Sequence, residues 1–357
     1  MEISVIIPVY NKTSYIGRCL ESIFSQDFPS FEVIAVDDGS TDASGKMCDQ
    51  WAEKEPRLRV YHTPNGGVTA ARRYGLEHAN GRYIMFADAD DLLTEGALKR
   101  MYDAIQKTDA DEVIGPYDDQ YGHRHDSGLR GFVDIDPLVR DLLATRNSFC
   151  VLWGIIFKRE LLEGCLGAPR EIVEREDSLM QIKCLMKKPK VFFVEDPAYL
   201  HYEDMPNDRI EDLEMIRIYD EELRKTLKPQ WKRYRSAFVG HQVKVYEKFI
   251  DKRQFHVFEE YYRPVRKLLE KSVPLADRIA ILLPPRISYF FVHYYKSIRK
   301  HLLKVTDQQT TVVKPEESGK ENEVVKCQPS VVGRLQQESD TDRQYESPMG
   351  RHDIHLI

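Results

Sequence analysis

Three carboxylates, Asp88, Asp90 and Asp91, fall within four positions directly after the apolar run Tyr83 to Ala87. Charge this dense is costly inside a strand, because a buried charge needs a partner. At the carboxyl end of a strand it faces the mouth of a cleft, where hard oxygen ligands suit a divalent cation held against a diphosphate. The same residues would also serve a plain polar loop in which Asp91 or Thr94 caps the next helix. A second acidic pair, Asp37-Asp38, closes the apolar run Phe31 to Val36 in the same way. Strands of a parallel sheet point one way, so both groups open on the same edge. One carboxylate there suits a base or ribose, another Mg²⁺ or Mn²⁺ against two phosphates. The ligand this predicts is a nucleoside diphosphate attached to something else. The sequence has no Gly-rich phosphate loop of the Walker or dinucleotide type, which removes most support for a kinase, ATPase or dehydrogenase.

The elements that must position these residues are legible as alternation. Apolar runs at residues 3–7, 31–36, 58–62, 83–87 and 112–115 predict strands. Helical spacing predicts helices over 15–24, 43–54, 69–78 and 95–108, with Ile16, Cys19, Leu20, Ile23 and Phe24 on one face of the first. Near-continuous apolar strands fit a sheet covered on both sides. The fold class expected is α/β: a mostly parallel sheet flanked by helices. Residues 117–131, polar and rich in Gly, Asp and His, are expected to form a surface excursion. A helix over 137–145, a hydrophobic run over 150–157, a helix near 177–186 and strands near 191–194 and 199–202 complete the first domain, which is expected to end near residue 205.

The chain has 357 residues, 42 % of them hydrophobic, enough for a large core and a smaller second unit. A net charge of −6 gives no general nucleic-acid surface. Six cysteines have no metal-type spacing, and several fall in apolar runs as core filler. The start lacks a basic segment and reads as a buried first strand rather than a signal peptide. No run of 18 apolar residues predicts a membrane span, so the expected location is cytoplasmic, free or on the cytoplasmic face of a membrane. Helices are expected over 210–227, 234–250 and 254–269, the last broken at Pro264, within a helical region spanning 206–305. Between Ile279 and Leu303, aromatic and apolar bulk stands beside Arg286, Lys296, Arg299 and Lys300, a composition suited to an anionic membrane surface or to a core helix with a solvated basic end. Residues 306–357 are polar and aperiodic, and disorder is expected there.

Four stretches in this order resemble the family 2 glycosyltransferases, which have the GT-A fold: Ser4 to Asn11, Phe31 to Asp42, Asn65 to Gly75 with Ala70-Ala71-Arg72, and Gly81 to Asp91. The resemblance covers about residues 1–205. It implies that Pro8, Tyr10, Asp37 and Asp38 line the base and ribose of a nucleotide-sugar donor, and that Arg72 belongs to the same donor site. It implies that Asp88 and Asp90 are the DxD pair, Asp90 the more direct ligand of Mn²⁺ or Mg²⁺. Where the family usually has Ser and Asn, this chain has Thr69, which keeps the hydroxyl, and Arg73, which adds positive charge.

Arg175-Glu176-Asp177 resembles the family's Glu-Asp pair before a helix, with Asp177 as the base that deprotonates the acceptor hydroxyl and Glu176 orienting acceptor or base. A carboxylate at a helix start stays ionised, in keeping with that role; a plain helix cap would use the same residues. Trp153 would stack on a sugar or pack in the core, and His201 stands where some relatives place a metal or phosphate contact. The family's common Arg shortly after a Tyr is absent, since Glu203-Asp204 follows Tyr202. The resemblance therefore implies an inverting, metal-dependent transferase of the bacterial polysaccharide type. It would move a sugar from a nucleoside-diphosphate donor, UDP by family frequency, to a hydroxyl of a glycan or lipid-linked saccharide. A polyprenyl-phosphate sugar transferase would hardly need Asp177, and a nucleotide-sugar-binding protein without catalysis would not need Asp88, Asp90 and Asp177 intact.

Overall fold

The structure, a computed structural model, describes residues 1–144, 151–202, 212–271 and 273–294. The expected domain end near residue 205, the basic run from Lys296 onward and the tail at 306–357 lie outside the described residues.

The chain opens as strand-helix repeats: β1 (Ile3–Val9), α1 (Ile16–Phe24), β2 (Phe31–Asp37), α2 (Ser44–Ala52), β3 (Leu58–His62), α3 (Val68–His78) and β4 (Tyr83–Phe86). Every residue of β2 and β4 is buried, as expected of strands covered on both faces. There follow β5 (Leu92–Leu93), α4 (Ala97–Thr108), β6 (Glu112–Ile114), β7 (Tyr117–Asp119), β8 (Arg124–His125), β9 (Gly131–Val133) and α5 (Ile135–Ala144). Next come β10 (Ile156–Lys158), α6 (Arg159–Leu162), α7 (Glu176–Leu185), β11 (Val191–Phe193) and β12 (Tyr199–His201). The main sheet has the order β3-β2-β1-β4-β10-β6-β11-β9. It is the mostly parallel α/β sheet of the GT-A type, with β10 and β9 running against their neighbours.

Two features of the sheets differ from the expectation. The hydrophobic run before Phe157 enters the middle of the sheet antiparallel, between β4 and β6; periodicity reads burial, not direction. Residues 117–131 are not merely an excursion, because β7 and β8 form a hairpin that joins β5 and β12 in a second sheet of order β5-β12-β7-β8.

Helices cover both faces of the main sheet. α1 and α4 bury Cys19, Leu20, Leu98 and Met101 against one face, and α5 and α7 bury Leu142, Leu179 and Met180 against the other. α3 approaches β1 closely: a Cβ on Gly75 would stand 2.4 Å from Ile6 Cγ2. α8 (Leu213–Leu227) and α9 (Trp231–Asp251) extend the second layer, with Tyr219, Leu223, Tyr234 and Phe238 in the same core as α7. The segment expected as a helix broken at Pro264 is instead a π-helical turn over Phe258–Tyr262 running into a 3-10 turn over Arg263–Leu268. α10 (Leu275–Leu282) and helical residues 285–294 follow. All described residues lie in one compact unit, Met1–Ile298. Cys19, Cys48, Cys165 and Cys184 are buried free thiols, as expected of core filler. Among the described residues no helix is long and apolar enough to cross a membrane.

Glu112 sits fully buried in β6, where Gln181 of α7 donates to Oε1 and Oε2 has no partner among the described residues. Burial outweighs that hydrogen bond and pushes the carboxyl from 4.5 up to about 8. Between those values the unfolded chain has lost the proton and the folded chain keeps it, so stability falls as pH rises through that window. Glu112→Gln cannot ionise and should flatten the slope. Urea unfolding should give the variant an advantage on the order of 2 kcal/mol at pH 8 that vanishes near pH 5. Parallel pH profiles for the two proteins would show that the proton is not held there.

Candidate active site

The carboxyl ends of β1, β2 and β4 lie side by side, since β1 pairs in parallel with both neighbours. Pro8 is half-buried and still within β1, opposite Val36, while Tyr10 just beyond is exposed. Asn11 turns the chain with a φ of 52°, and its Oδ1 accepts the Thr41 N–H at 2.8 Å. Ser40 Oγ accepts the Asn11 N–H at 3.1 Å, so the loops after β1 and β2 are fastened together.

Asp37 and Asp38 are both buried at the end of β2. Asp37 accepts from the Ser40 N–H at 3.0 Å and pairs with His62 Nδ1 at 2.8 Å. Burial opposes its ionisation, but these hydrogen bonds prevail and hold its carboxyl below the usual range. Asp38 accepts the Gly66 and Gly67 N–H groups at 2.8 and 2.7 Å, which anchors the turn leading into α3. It also lines a cavity of about 380 Å³ with Thr63, Pro64, Ala70, Arg73, Tyr74 and Glu77. Arg73 is exposed there, and Thr69 is buried one turn earlier in α3.

Arg72 of α3 is almost wholly buried and reaches two carboxylates at once. Nη2 donates to Asp88 Oδ1 at 3.0 Å, and Nη1 donates to Asp177 Oδ1. Burial disfavours the guanidinium charge, but Asp177, Asp88 and Glu176 outweigh it and hold Arg72 protonated. Asp177 lies in the first turn of α7 next to buried Glu176, after Arg175 bends the chain with a φ of 69°. Burial raises the Asp177 carboxyl above its ordinary value, Arg72 pulls it back, and nearby Asp88 raises it further. A partly accessible carboxylate of raised basicity is equipped to take a proton.

Lys12, from the loop after β1, pairs with Asp90 Oδ2, and Arg18 of α1 donates to the Asp90 carbonyl at 3.0 Å. Asp91 is buried and turns away from Asp90: it meets His201 Nδ1 at 3.1 Å and accepts the Tyr202 N–H at 2.8 Å. Burial pushes the Asp91 carboxyl up against the opposing hydrogen bond from His201. His201 is thereby fixed one residue from the DxD pair. The Tyr199 hydroxyl accepts the Asp88 N–H at 2.8 Å. Trp153 is buried and stacks on Tyr199 and His201 at ring separations of 4.4 and 5.1 Å, so it packs as a wall behind Asp88. Lys12, Arg18 and Tyr199 were absent from the sequence-derived site. Lys12 carried a signal, being a lone cation in the loop that follows β1.

The arrangement thus brings Asp88, Asp90, Asp177 and Glu176 to one edge, with Lys12 and Arg72 between them. One oxygen each of Asp88 and Asp90 makes no hydrogen bond among the described residues, and both are hard donors. No group of three protein ligands converges among the described residues. Two carboxylates completed by phosphate oxygens and water are an ordinary set for Mg²⁺, so these residues fit the cation that a diphosphate needs.

Comparison with known proteins places this geometry. A family model described as glycosyl transferase family 2 matches residues 4–166. Glycosyltransferase GlyA of Streptococcus pneumoniae serotype 4 is 30 % identical over 221 residues, 56 % of this chain and 30 % of its own length. The poly(ribitol-phosphate) beta-glucosyltransferase of Bacillus spizizenii is 32 % identical over 206 residues, 56 % of this chain and 32 % of its own. The chain thus spans about a third of these two curated relatives. A crystal structure of S. aureus TarS residues 1–349 in complex with UDP shares the fold, with a TM-score of 0.55 at 21 % identity over 83 % of this chain and 92 % of that one. Residues 4–166 thus match the glycosyl transferase family 2 model, and their strand-end carboxylates stand on a mostly parallel sheet of GT-A architecture.

Proposed function

We propose that this protein is an inverting glycosyltransferase that moves a sugar from a nucleoside-diphosphate donor, UDP-linked by preference, to a hydroxyl of a glycan or lipid-linked saccharide. The observation that carries this reading is Arg72, which holds Asp88 and Asp177 at the two ends of one guanidinium. The proposed donor side and the proposed base are therefore a few ångströms apart, the spacing a single displacement requires. Pro8, Tyr10 and the loops anchored by Asp37 and Asp38 bind the nucleotide. The UDP complex of TarS, a protein of similar fold, supports uridine as the nucleoside of the donor. Asp177 accepts the acceptor hydroxyl proton as that oxygen bonds to C1; the bond from C1 to the diphosphate oxygen breaks, and the electron pair leaves with the diphosphate. Arg72 and Lys12 supply positive charge beside the departing group. Glu176 orients the base.

Asp177→Asn preserves shape and removes the base. UDP-sugar panels scored for UDP release and product formation should show transfer falling by roughly 10²- to 10⁴-fold, with UDP affinity close to wild type. A phosphate acceptor would hardly feel the change. Near-normal transfer to a hydroxyl by the variant would rule out this mechanism.

Asp90 and Asp88 are the residues that would hold Mn²⁺ or Mg²⁺, and the cation would neutralise charge on the diphosphate. Calorimetric titration of the wild type with UDP should show affinity higher by about tenfold or more with Mn²⁺ than with chelator, and Asp90→Asn should lose that gain because one ligand charge is gone. Equal UDP affinity of the wild type with and without Mn²⁺ would end the metal reading.

The protein is further proposed to rest on an anionic membrane surface. Helical residues 285–294 bury Ser288 and Val292 and leave Ile287, Phe290 and Tyr294 exposed on one side, the last two at 70 %. The sequence continues into Lys296, Arg299, Lys300 and Lys304. An apolar face followed by basic charge matches the boundary of an anionic bilayer, where each basic side chain contributes roughly 1 kcal/mol. Replacing Ile287, Phe290 and Tyr294 together by Ser should abolish flotation with anionic vesicles. Arg299→Glu with Lys300→Glu should weaken it several-fold without changing flotation on neutral lipid. Undiminished flotation of both variants would make this face ordinary protein surface.

A further inference from the structure

We propose that the β7–β8 hairpin is a subsite for a sugar ring of the acceptor, built from stacked aromatic and imidazole faces; the assignment to the acceptor rests on the transferase reading above. A continuous series of rings leads from the carboxylate edge to this hairpin. The Tyr199 hydroxyl accepts the Asp88 N–H, and the Tyr199 ring stacks on Trp153 with planes 16° apart. Tyr117 of β7 meets Trp153 edge-on at 4.8 Å. Tyr117 then stacks flat on His125 of β8, its cross-strand partner, at 4.6 Å and 5°. The series ends toward solvent: His125 is half-buried, Tyr121 at the turn is 68 % exposed, and the His123 side chain is 73 % exposed.

The two imidazoles at the open end are held in place. Buried Asp119 contacts His123 Nδ1 at 3.0 Å and His125 Nε2 at 3.1 Å through one oxygen. Its other oxygen accepts the Tyr121 and His123 N–H groups, both at 2.9 Å. Side chains already fixed lose little entropy on binding, which favours a weakly adhesive ligand such as a monosaccharide. A pyranose presents an apolar C–H face to a flat ring and hydroxyls to its polar rim, and aromatic bodies with polar edges meet both.

Topology assigns the subsite to acceptor rather than donor. β1 and β2 lie on one side of β4, and their loops form the nucleotide end of the site. β6, from which β7 departs, lies on the other side of β4, and β7–β8 belongs to the second sheet with β5, which starts directly after Asp91. The ring series therefore extends away from the nucleotide, on the side an attacking hydroxyl must come from.

The experiment compares wild type, Tyr121→Ala, His125→Ala and His125→Phe. The probe is an array of immobilised mono- and oligosaccharides, read with UDP and Mn²⁺ present, alongside calorimetric titration with UDP. Both alanine variants should lower capture about tenfold, the reach of one good ring stack, while His125→Phe keeps a flat face and most of the signal. UDP affinity should be unchanged in all three. Alanine variants that capture saccharides as the wild type does would overturn the proposal, as would a wild type that binds UDP and captures none. Loss of capture matched by loss of UDP binding would also overturn it, since the hairpin would then only support the fold. A wild type that captures saccharides but binds no UDP would sink the transferase reading and leave the sugar subsite standing.

Discussion

A charged guanidinium almost without solvent can persist only where carboxylates surround it, and removing one partner of such a group typically costs about 3–5 kcal/mol. Arg72 meets that condition by drawing together three elements distant in sequence: α3, the end of β4, and the start of α7. Each needs its own local device to arrive. Gly75 lets α3 lie against Ile6 of β1 closely enough for Arg72 to point along the sheet edge. Asp88 is set by the end of β4 and by the Tyr199 hydroxyl on its backbone N–H. Arg175 adopts the left-handed conformation that starts α7 with Glu176 and Asp177 in its first turn. The geometry proposed for catalysis is thus also an electrostatic requirement of the fold.

The parts of this arrangement that follow local rules were legible in the sequence. Apolar runs ending in acidic pairs marked β2 and β4, and parallel direction put both pairs on one edge. Ile16, Cys19, Leu20 and Ile23 marked the buried face of α1. Long-range pairing was not legible. Lys12 meets Asp90 from 78 positions away, and Tyr199 meets Asp88 from 111. Nothing local to either residue encodes the partner. The antiparallel β10 escaped for a related reason: Ile156 and Phe157 are as apolar as any parallel strand, and direction depends on how the chain returns. The hairpin at 117–125 has strands of three and two residues, too short for alternation to register.

Acidic residues of similar sequence appearance take different physical roles. Asp88 and Asp90 each keep one oxygen without a hydrogen bond among the described residues, whereas Asp37, Asp38 and Asp91 are buried and engaged by His62, by the Gly66-Gly67 turn and by His201. The second set supports the first by fixing loops and the neighbouring imidazole. Density of carboxylates identified the edge, but only burial and partners separate those placed to face a ligand from those that fasten the frame.

The helices after residue 212 bear on the same edge from behind. α7 faces the sheet through Gln181, which reaches Glu112, and its other side shares a core with Tyr219, Leu223 and Phe238 of α8 and α9. Those two helices are joined by buried Asp220, which accepts from Gln242 at 3.0 Å and from the Tyr261 hydroxyl at 2.8 Å. Hydrogen bonds between helices inside an apolar layer resist sliding, because any shift leaves a further buried donor or acceptor unpaired. α7 is therefore gripped on both sides while its first turn opens to the cleft. Asp177, carried on such a helix, holds its distance to Asp88 without help from a substrate, and for the base proposed above that is the preorganisation electrostatic catalysis demands.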